Sequence, residues 1–271
     1  MRTIQFPPYL QEGDRVTIIS PAGKIDKNFL KDAKKTLESW GLEVVISKHA
    51  SGEAGRFSGS VKQRTADLQW AMDDESTKAI LCSRGGYGAI HLIDQINFTK
   101  FRENPKWLLG YSDITLLHEL LQYNGFASVH SPMARHLSVE PKDDVCSLHL
   151  KNLLFGELPT YQSPKHKLNI KGTAKGTLRG GNLSVLYGLR GTPYDFPAEG
   201  TILFIEDIGE RPYHIDRMMN NLKLGGVLEL LSGLFVGPFT LGYVWKSVRG
   251  GWGGRLLNTR KTLQEAKRCT K

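Results

Sequence analysis

The chain has few cysteines and no long apolar run, and each shortage excludes a class of protein. Three cysteines in 271 residues, Cys82, Cys146 and Cys269, are too few and too scattered for a disulfide framework or a metal quartet. No stretch approaches the roughly 20 consecutive apolar residues that a membrane helix needs. The first eight residues, MRTIQFPP, hold no apolar core of signal-peptide length and no small-residue cleavage site. These absences point to a cytoplasmic protein with reduced thiols and no membrane partner. No His-x-x-x-His, Cys-x-x-Cys or clustered-acid motif suggests a metal. Histidine is missing altogether after His214.

What is present is ordinary in bulk. Apolar residues make up 40% and charged residues 23%, which excludes collagen-like, disordered and coiled-coil chains. At roughly 150 residues per domain, the length suggests two domains. The net charge of +9 invites a nucleic-acid partner, but its distribution argues against one. Residues 241–271 hold eight Lys/Arg against the single acid Glu265, a surplus of seven that leaves +2 for the rest. A basic face built into the fold would spread through the chain. A nearly neutral protein followed by a basic tail is a different arrangement, and no nucleic acid is expected.

Strand and helix patterns alternate through the first half. RVTII and the following serine (Arg15–Ser20) read as a strand. Asp26 is a candidate N-cap for a helix with Leu30, Ala33, Leu37 and Trp40 at helical spacing, stopped by Gly41. Glu43–Ser47 is a second strand, residues 51–60 a Gly/Ser-rich loop, and Val61–Met72 a helix. Ala79–Ser83 is a third strand, leading into a Gly-rich turn and a helix through His91 and Ile96. Trp107–Tyr111 is a fourth, followed by a helix with Ile114, Leu117 and Leu121 on one face and Gly125 at its end. This alternation implies an α/β fold with a parallel sheet covered on both faces. Residues 1–135 read as an N-terminal domain and 136–173, interrupted by Pro141, Pro159 and Pro164, as a connection. Residues 174–240 read as a smaller, strand-rich domain, and 241–271 as the basic tail. In that second domain Gly176–Arg179, Thr201–Glu206 and Gly233–Val236 are strand-like. Pro212 opens a helix with Ile215, Met218, Met219 and Leu222 on one side, ended by Gly225-Gly226.

Chemistry concentrates at strand ends. In Gly110-Tyr111-Ser112-Asp113-Ile114-Thr115 a buried strand runs straight into Ser112 and a helix starts at once. A serine there would project its hydroxyl above the carboxyl edge of the sheet, and the Asp113 amide could help hold an oxyanion. Ile114 stands where the second glycine of G-x-S-x-G would be, and a serine that merely caps the helix fits the same spacing. Ser83-Arg84-Gly85-Gly86-Tyr87-Gly88 leaves amides free for an anion but matches neither a dinucleotide fingerprint nor a Walker loop. Glu206, Asp207 and Glu210 follow one another near the end of a strand. Carboxylates there could orient a histidine, or could favour the dipole of the helix that Pro212 opens.

Eight histidines could supply a base. His91 and His118 lie inside expected helices and read as packing or surface residues. His49, His149 and His166 fall in or near loops with no carboxylate pattern, and His214 sits in the first turn of a helix. His130 ends an expected fifth strand and should face the Ser112 crevice.

Six segments in order resemble a known family: Ile19–Gly23, Ser83–Gly88, Gly110–Thr115, Gly180–Leu183, Ile205–Glu210 and Pro212–Met218. Together they are similar to the LD-carboxypeptidases, serine peptidases that include the muramoyltetrapeptide carboxypeptidases and the microcin C self-immunity hydrolases. The resemblance implies a flavodoxin-like N-terminal domain, a smaller C-terminal domain and an active site between them. It implies a Ser–Glu–His triad with Ser112 as nucleophile and Glu206 orienting the base. The family's oxyanion amides map onto Gly86 and Asp113. It further implies release of terminal D-alanine from cytoplasmic murein tetrapeptides in wall recycling, no metal or organic cofactor, a murein peptide as partner and a homodimer. An acyl-sulfamoyl-adenylate hydrolase and a non-catalytic muropeptide-binding protein are the alternatives.

One part of the family pattern is missing. Its histidine stands nearer the C-terminus in a Gly-His-x-x-x-Asn context. Here the likeness continues through Gly237-Pro238-Phe239-Thr240, and then Leu241–Lys271 holds no histidine and carries Gly250-Gly251-Trp252-Gly253-Gly254 instead. A reading-frame change near residue 240 is the simplest expectation, a divergent basic tail the other. Either way, impaired catalysis is expected.

Overall fold

The computed structural model describes residues 4–162 and 166–241. The described residues divide into two compact units, 4–162 and 166–241. The basic segment beyond Leu241, with its glycine run, lies outside the described residues.

In the first unit, β1 (Arg15–Ile19), α1 (Lys27–Glu38), β2 (Glu43–Ile46), α2 (Val61–Asp73) and β3 (Thr77–Cys82) follow the expected alternation. Then come α3 (Thr99–Glu103), β4 (Trp107–Gly110), α4 (Thr115–Tyr123), β5 (Val129–His130), α5 (Ala134–Val139) and α6 (Val145–Leu154). The start signals work as their chemistry dictates. Asp26 accepts from Asn28 N at 2.8 Å, and Ser60 and Gln63 form a reciprocal capping box at the start of α2. The strands lie in the order β2-β1-β3-β4-β5, each pair parallel. That is the flavodoxin-like order, and its switch point lies between β1 and β3, where the carboxyl ends open a crevice. On one face Val16, Ile18, Ala79, Leu81 and Leu109 pack against Leu30, Ala33 and Leu37 of α1 in a single apolar core.

Two expectations in this unit are corrected. The helix through His91 and Ile96 is only a 3-10 turn, Ala89–His91. Isoleucines at 90, 93 and 96 are poor helix formers. Bonds outside a helix also compete here: Asn97 N donates to Gln69 Oε1 at 2.8 Å, and Asn97 Oδ1 accepts from Thr99 N at 2.7 Å. The connection expected over 136–173 begins with structure instead. Leu137 of α5 and Leu150 and Leu154 of α6 belong to the same core as the sheet. Pro141 separates two helices, with Asp144 starting the second by accepting from Ser147 N at 2.9 Å.

The second unit contains β6 (Thr177–Asn182), α7 (Leu183–Leu189), β7 (Thr201–Glu210), α8 (Pro212–Leu224), α9 (Val227–Leu230) and β8 (Gly233–Leu241). Its three strands form a parallel sheet in the order β6-β7-β8. Ile215, Met218, Met219 and Leu222, the apolar side read from the sequence, pack on Leu203, Ile205 and Phe239. β7 runs four residues past Glu206, because β8 stays beside it as far as the pairing of Glu210 with Leu241.

Candidate active site

Three segments converge at the carboxyl edge of the first sheet: the turns after β1, β3 and β4. Ser20 Oγ and Ser83 Oγ, one residue beyond β1 and β3, are hydrogen-bonded at 2.7 Å, and Ser20 also donates to Ala50 O at 2.7 Å. Gly23 N donates to Gly85 O at 3.2 Å, joining the first turn to the glycine-rich second.

The third turn carries Ser112. Gly110 makes the sharp exit from β4 possible, since a Cβ there would stand 3.0 Å from the side chain of Ile114. Ser112 then adopts φ 65°, alone among described non-glycine residues in the left-handed region. For an ordinary L-residue that conformation costs on the order of 1–2 kcal/mol. A helix-capping serine adopts extended backbone and accepts from an amide of the first turn. Ser112 does neither, and no side-chain cap is made at this start. Its strained backbone instead fits the exposed nucleophile of a strand-to-helix elbow.

Gly85 faces this serine closely. A Cβ on Gly85 would lie 2.9 Å from both Cβ and Oγ of Ser112, and 3.4 Å from Asp113 N. The structure therefore brings Ser112, the Asp113 amide and the glycine loop together. Gly86 follows at φ 118°, exposed, with its N–H making no hydrogen bond among the described residues. Gly85→Ala should displace the hydroxyl, and misplacement of about 1 Å can cost roughly 10²-fold. In a version of the chain that carries a Gly-His-x-x-x-Asn segment after residue 240, labelling of Ser112 by a fluorophosphonate is expected to slow by about that factor. Gly188→Ala, where an added Cβ meets nothing within 4 Å, should leave the labelling rate unchanged.

Asp113 serves the scaffold through its side chain. Its carboxylate is buried and accepts from Ala89 N at 2.9 Å, which ties the start of α4 to the end of the glycine loop. Burial pushes its pKa up, against the pull of that hydrogen bond and of the Arg64 charge.

The fourth expected site residue, Glu206, lies in the second unit on β7, opposite Asn182 of β6. Three acids follow closely there, and their surroundings differ. Asp207 is fully engaged: it accepts from Asn182 Nδ2 and Ser184 N at 2.9 Å each and from its neighbour Ile208 N at 2.8 Å. Glu210 holds His214 Nδ1 at 2.8 Å. Glu206 Oε1 is buried without a hydrogen-bond partner among the described residues. Burial, with the neighbouring Asp207 charge, raises the Glu206 pKa to about 7, against a lowering contact from Asn182.

The histidines divide as their surroundings dictate. His118 is a packing residue, as expected. Its Nε2 meets Gly110 O at 2.9 Å, its Nδ1 meets Ser128 Oγ at 2.8 Å, and burial drops its pKa to about 4. His130 ends β5 beside Gly110, with its ring centroid 6.0 Å from that of Tyr111. His49, for which the sequence shows no carboxylate pattern, meets Asp67 Oδ1 at 2.7 Å across 18 residues. Among the described residues no cluster of His, Cys, Asp and Glu could hold a metal ion, and no helix is long and apolar enough to cross a membrane.

Comparison with known proteins identifies the family of the chain. Residues 16–131 match the LD-carboxypeptidase N-terminal domain and residues 175–266 the LD-carboxypeptidase C-terminal domain, the second match running past residue 240. The chain is 39% identical over 238 residues to a probable murein peptide carboxypeptidase of Bacillus subtilis, covering 86% of this chain and 74% of that protein. It is 31% identical over 239 residues to the murein tetrapeptide carboxypeptidase of Pseudomonas aeruginosa, covering 83% and 76%. Among solved structures, the muramoyltetrapeptide carboxypeptidase of Oxalobacter formigenes superposes with a TM-score of 0.78 at 27% identity, over 94% of this chain and 84% of that one. MccF bound to glutamyl sulfamoyl guanosine shares the fold, with a TM-score of 0.82 at 21% identity over 100% and 87%. The serine elbow and the glycine loop thus sit within matches that cover both units, and the chain belongs to the LD-carboxypeptidase family of serine-type hydrolases.

Proposed function

We propose that this chain carries the machinery of a cytoplasmic, homodimeric serine carboxypeptidase that releases terminal D-alanine from murein tetrapeptides during wall recycling. The observation that carries the reading is Ser112, held at φ 65° against Gly85 with no capping role. In the reaction Ser112 Oγ attacks the scissile carbonyl and gives its proton to a base. The amides of Gly86 and Asp113 receive the oxygen on which negative charge develops. Collapse of this intermediate expels D-alanine, which takes the proton from the base, and water then releases the acyl-enzyme by the same route. Glu206 orients the base through its open oxygen, a role for which Asp207 and Glu210 are already occupied.

The base itself has no candidate after His214, although the family match runs to residue 266. The proposal therefore includes impaired turnover in this chain. Ser112→Ala, made in a version whose residues after 240 are replaced by a segment bearing Gly-His-x-x-x-Asn, should abolish D-alanine release from a murein tetrapeptide. Release at the parent rate would overturn the nucleophile assignment. A fluorophosphonate that labels Ser112 in the parent but not in Ser112→Ala would separate an enzyme from a protein that only binds muropeptides.

A further inference from the structure

The glycine loop hangs from a buried cation that takes no part in the proposed chemistry. Arg64 lies on α2 and is 2% exposed. Its Nη1 donates to Pro21 O at 2.6 Å, in the turn after β1, and to Gly88 O at 2.8 Å, at the end of the loop after β3. Nε reaches Gly59 O at 3.4 Å, and the Phe57 ring centroid lies 5.1 Å from Cζ. Among the described residues Arg64 forms no ion pair with a carboxylate. A buried guanidinium without a carboxylate is costly, and it is retained as a cation because it does not deprotonate in proteins. Burial accordingly lowers its pKa, and the charge of Asp113 partly restores it.

The loop needs such a support. Gly85, Gly86 and Gly88 bring no side chains to pack, and Gly86 and Gly88 sit at φ 118° and 124°, where glycine is free to move. One planar donor that bonds the turns on both sides of the β1/β3 switch point fixes their separation. Its charge also acts on Asp113, whose carboxylate holds the next amide, Ala89 N. We infer that Arg64 is a positioning residue for the oxyanion site, holding the Gly86 amide in place beside Ser112 by clamping Pro21 O and Gly88 O. The inference rests on the reading of Ser112 as nucleophile and of Gly86 and Asp113 as oxyanion donors.

A peptidyl boronic acid whose boron replaces the scissile carbonyl carbon tests this in the 271-residue chain. Ser112 Oγ adds to the vacant orbital of boron, its proton passes to water, and the tetrahedral adduct places a charged oxygen on the two amides. Adduct formation is an equilibrium and needs no catalytic base. Arg64→Met should weaken the boronate roughly tenfold or more, given that losing one oxyanion donor outright costs about 10²–10³ in rate. Binding of an unreactive murein tripeptide, which places no charge on the amides, should change less than about threefold. Arg64→Lys, which keeps the charge but not the planar guanidinium that sets Nη1 between Pro21 O and Gly88 O, should fall between. Equal weakening of both ligands would mean a merely structural role and overturn the inference, as would unchanged boronate affinity. Where Arg64→Met fails to fold, Arg64→Lys decides: selective loss of boronate affinity supports the clamp and no loss overturns it. Ser112→Ala separates the underlying reading, because parent-like boronate affinity in that variant would overturn the nucleophile assignment and the clamp together.

Discussion

Glu206→Gln, in a version of the chain that carries a Gly-His-x-x-x-Asn segment after residue 240, is expected to slow D-alanine release by about 10⁴-fold, the cost of losing the orienting carboxylate in a serine triad. Glu210→Gln should cost far less. Glu210 spends its carboxylate on His214, and Asp207 spends its own on three donors, whereas Glu206 keeps a buried oxygen open. Rates of D-alanine release for the two variants decide the matter, and equal losses would mean the role is misassigned. The same substitution has a signature in the chain as it stands. The Glu206 pKa is raised from 4.5 to about 7, so the native state keeps a proton that the unfolded chain loses as pH rises through that window. Stability contributed by the protonated form is full below the lower value and falls as pH climbs toward the higher. Glu206→Gln should flatten that part of a plot of Tm against pH. A slope unchanged by the substitution would show that Glu206 is not the group responsible.

Much of this was legible in the sequence, and the exceptions share a cause. β-branched runs, Asp26 and Pro212 mark strand and helix boundaries through local chemistry, so the order of elements and the apolar side of α8 could be read directly. Ser112 was legible as a junction residue, but cap and nucleophile fit the same spacing. Only its left-handed φ and the closeness of Gly85 distinguish them. Glu206 was similarly one of three acids by spacing alone, singled out by the family resemblance, and the partners held by Asp207 and Glu210 favour the same choice. Local spacing failed wherever a long-range bond decides the outcome. Ile90, Ile93 and Ile96 suggest a helix that bonds from Gln69 and Asn97 replace with turns. Pro141 suggests a linker, yet the leucines on either side of it are buried in the first core. Arg64 gives no signal at all, because an arginine on an amphipathic helix is ordinarily solvated. Its partners, Pro21 and Gly88, lie 43 and 24 residues away.

The largest effect expected concerns the 271-residue chain itself. A serine hydroxyl is a weak nucleophile at neutral pH unless a neighbouring base takes its proton. The elbow, the glycine loop and the Arg64 bonds to Pro21 O and Gly88 O are all in place in the first unit, and Glu206 holds an open, buried oxygen in the second. That oxygen is the feature an orienting carboxylate presents to an imidazole. A protonated imidazole donating to it would also bring the Glu206 pKa back down, completing an environment that is otherwise unfavourable to the carboxylate. No histidine follows His214 to do so. Oxyanion donors and binding alone leave a residual rate roughly 10³–10⁴ above water, and losing the histidine of a serine triad costs about 10⁶ in kcat. The purified chain should therefore release D-alanine from a murein tetrapeptide about 10⁶-fold more slowly than the version bearing Gly-His-x-x-x-Asn. His130 is the residue to test if it does not. It ends β5 next to the strand that leads into Ser112, with its ring beside Tyr111. Comparable turnover from the two chains would refute the missing-base argument. Loss of that turnover in His130→Ala would then identify the substitute.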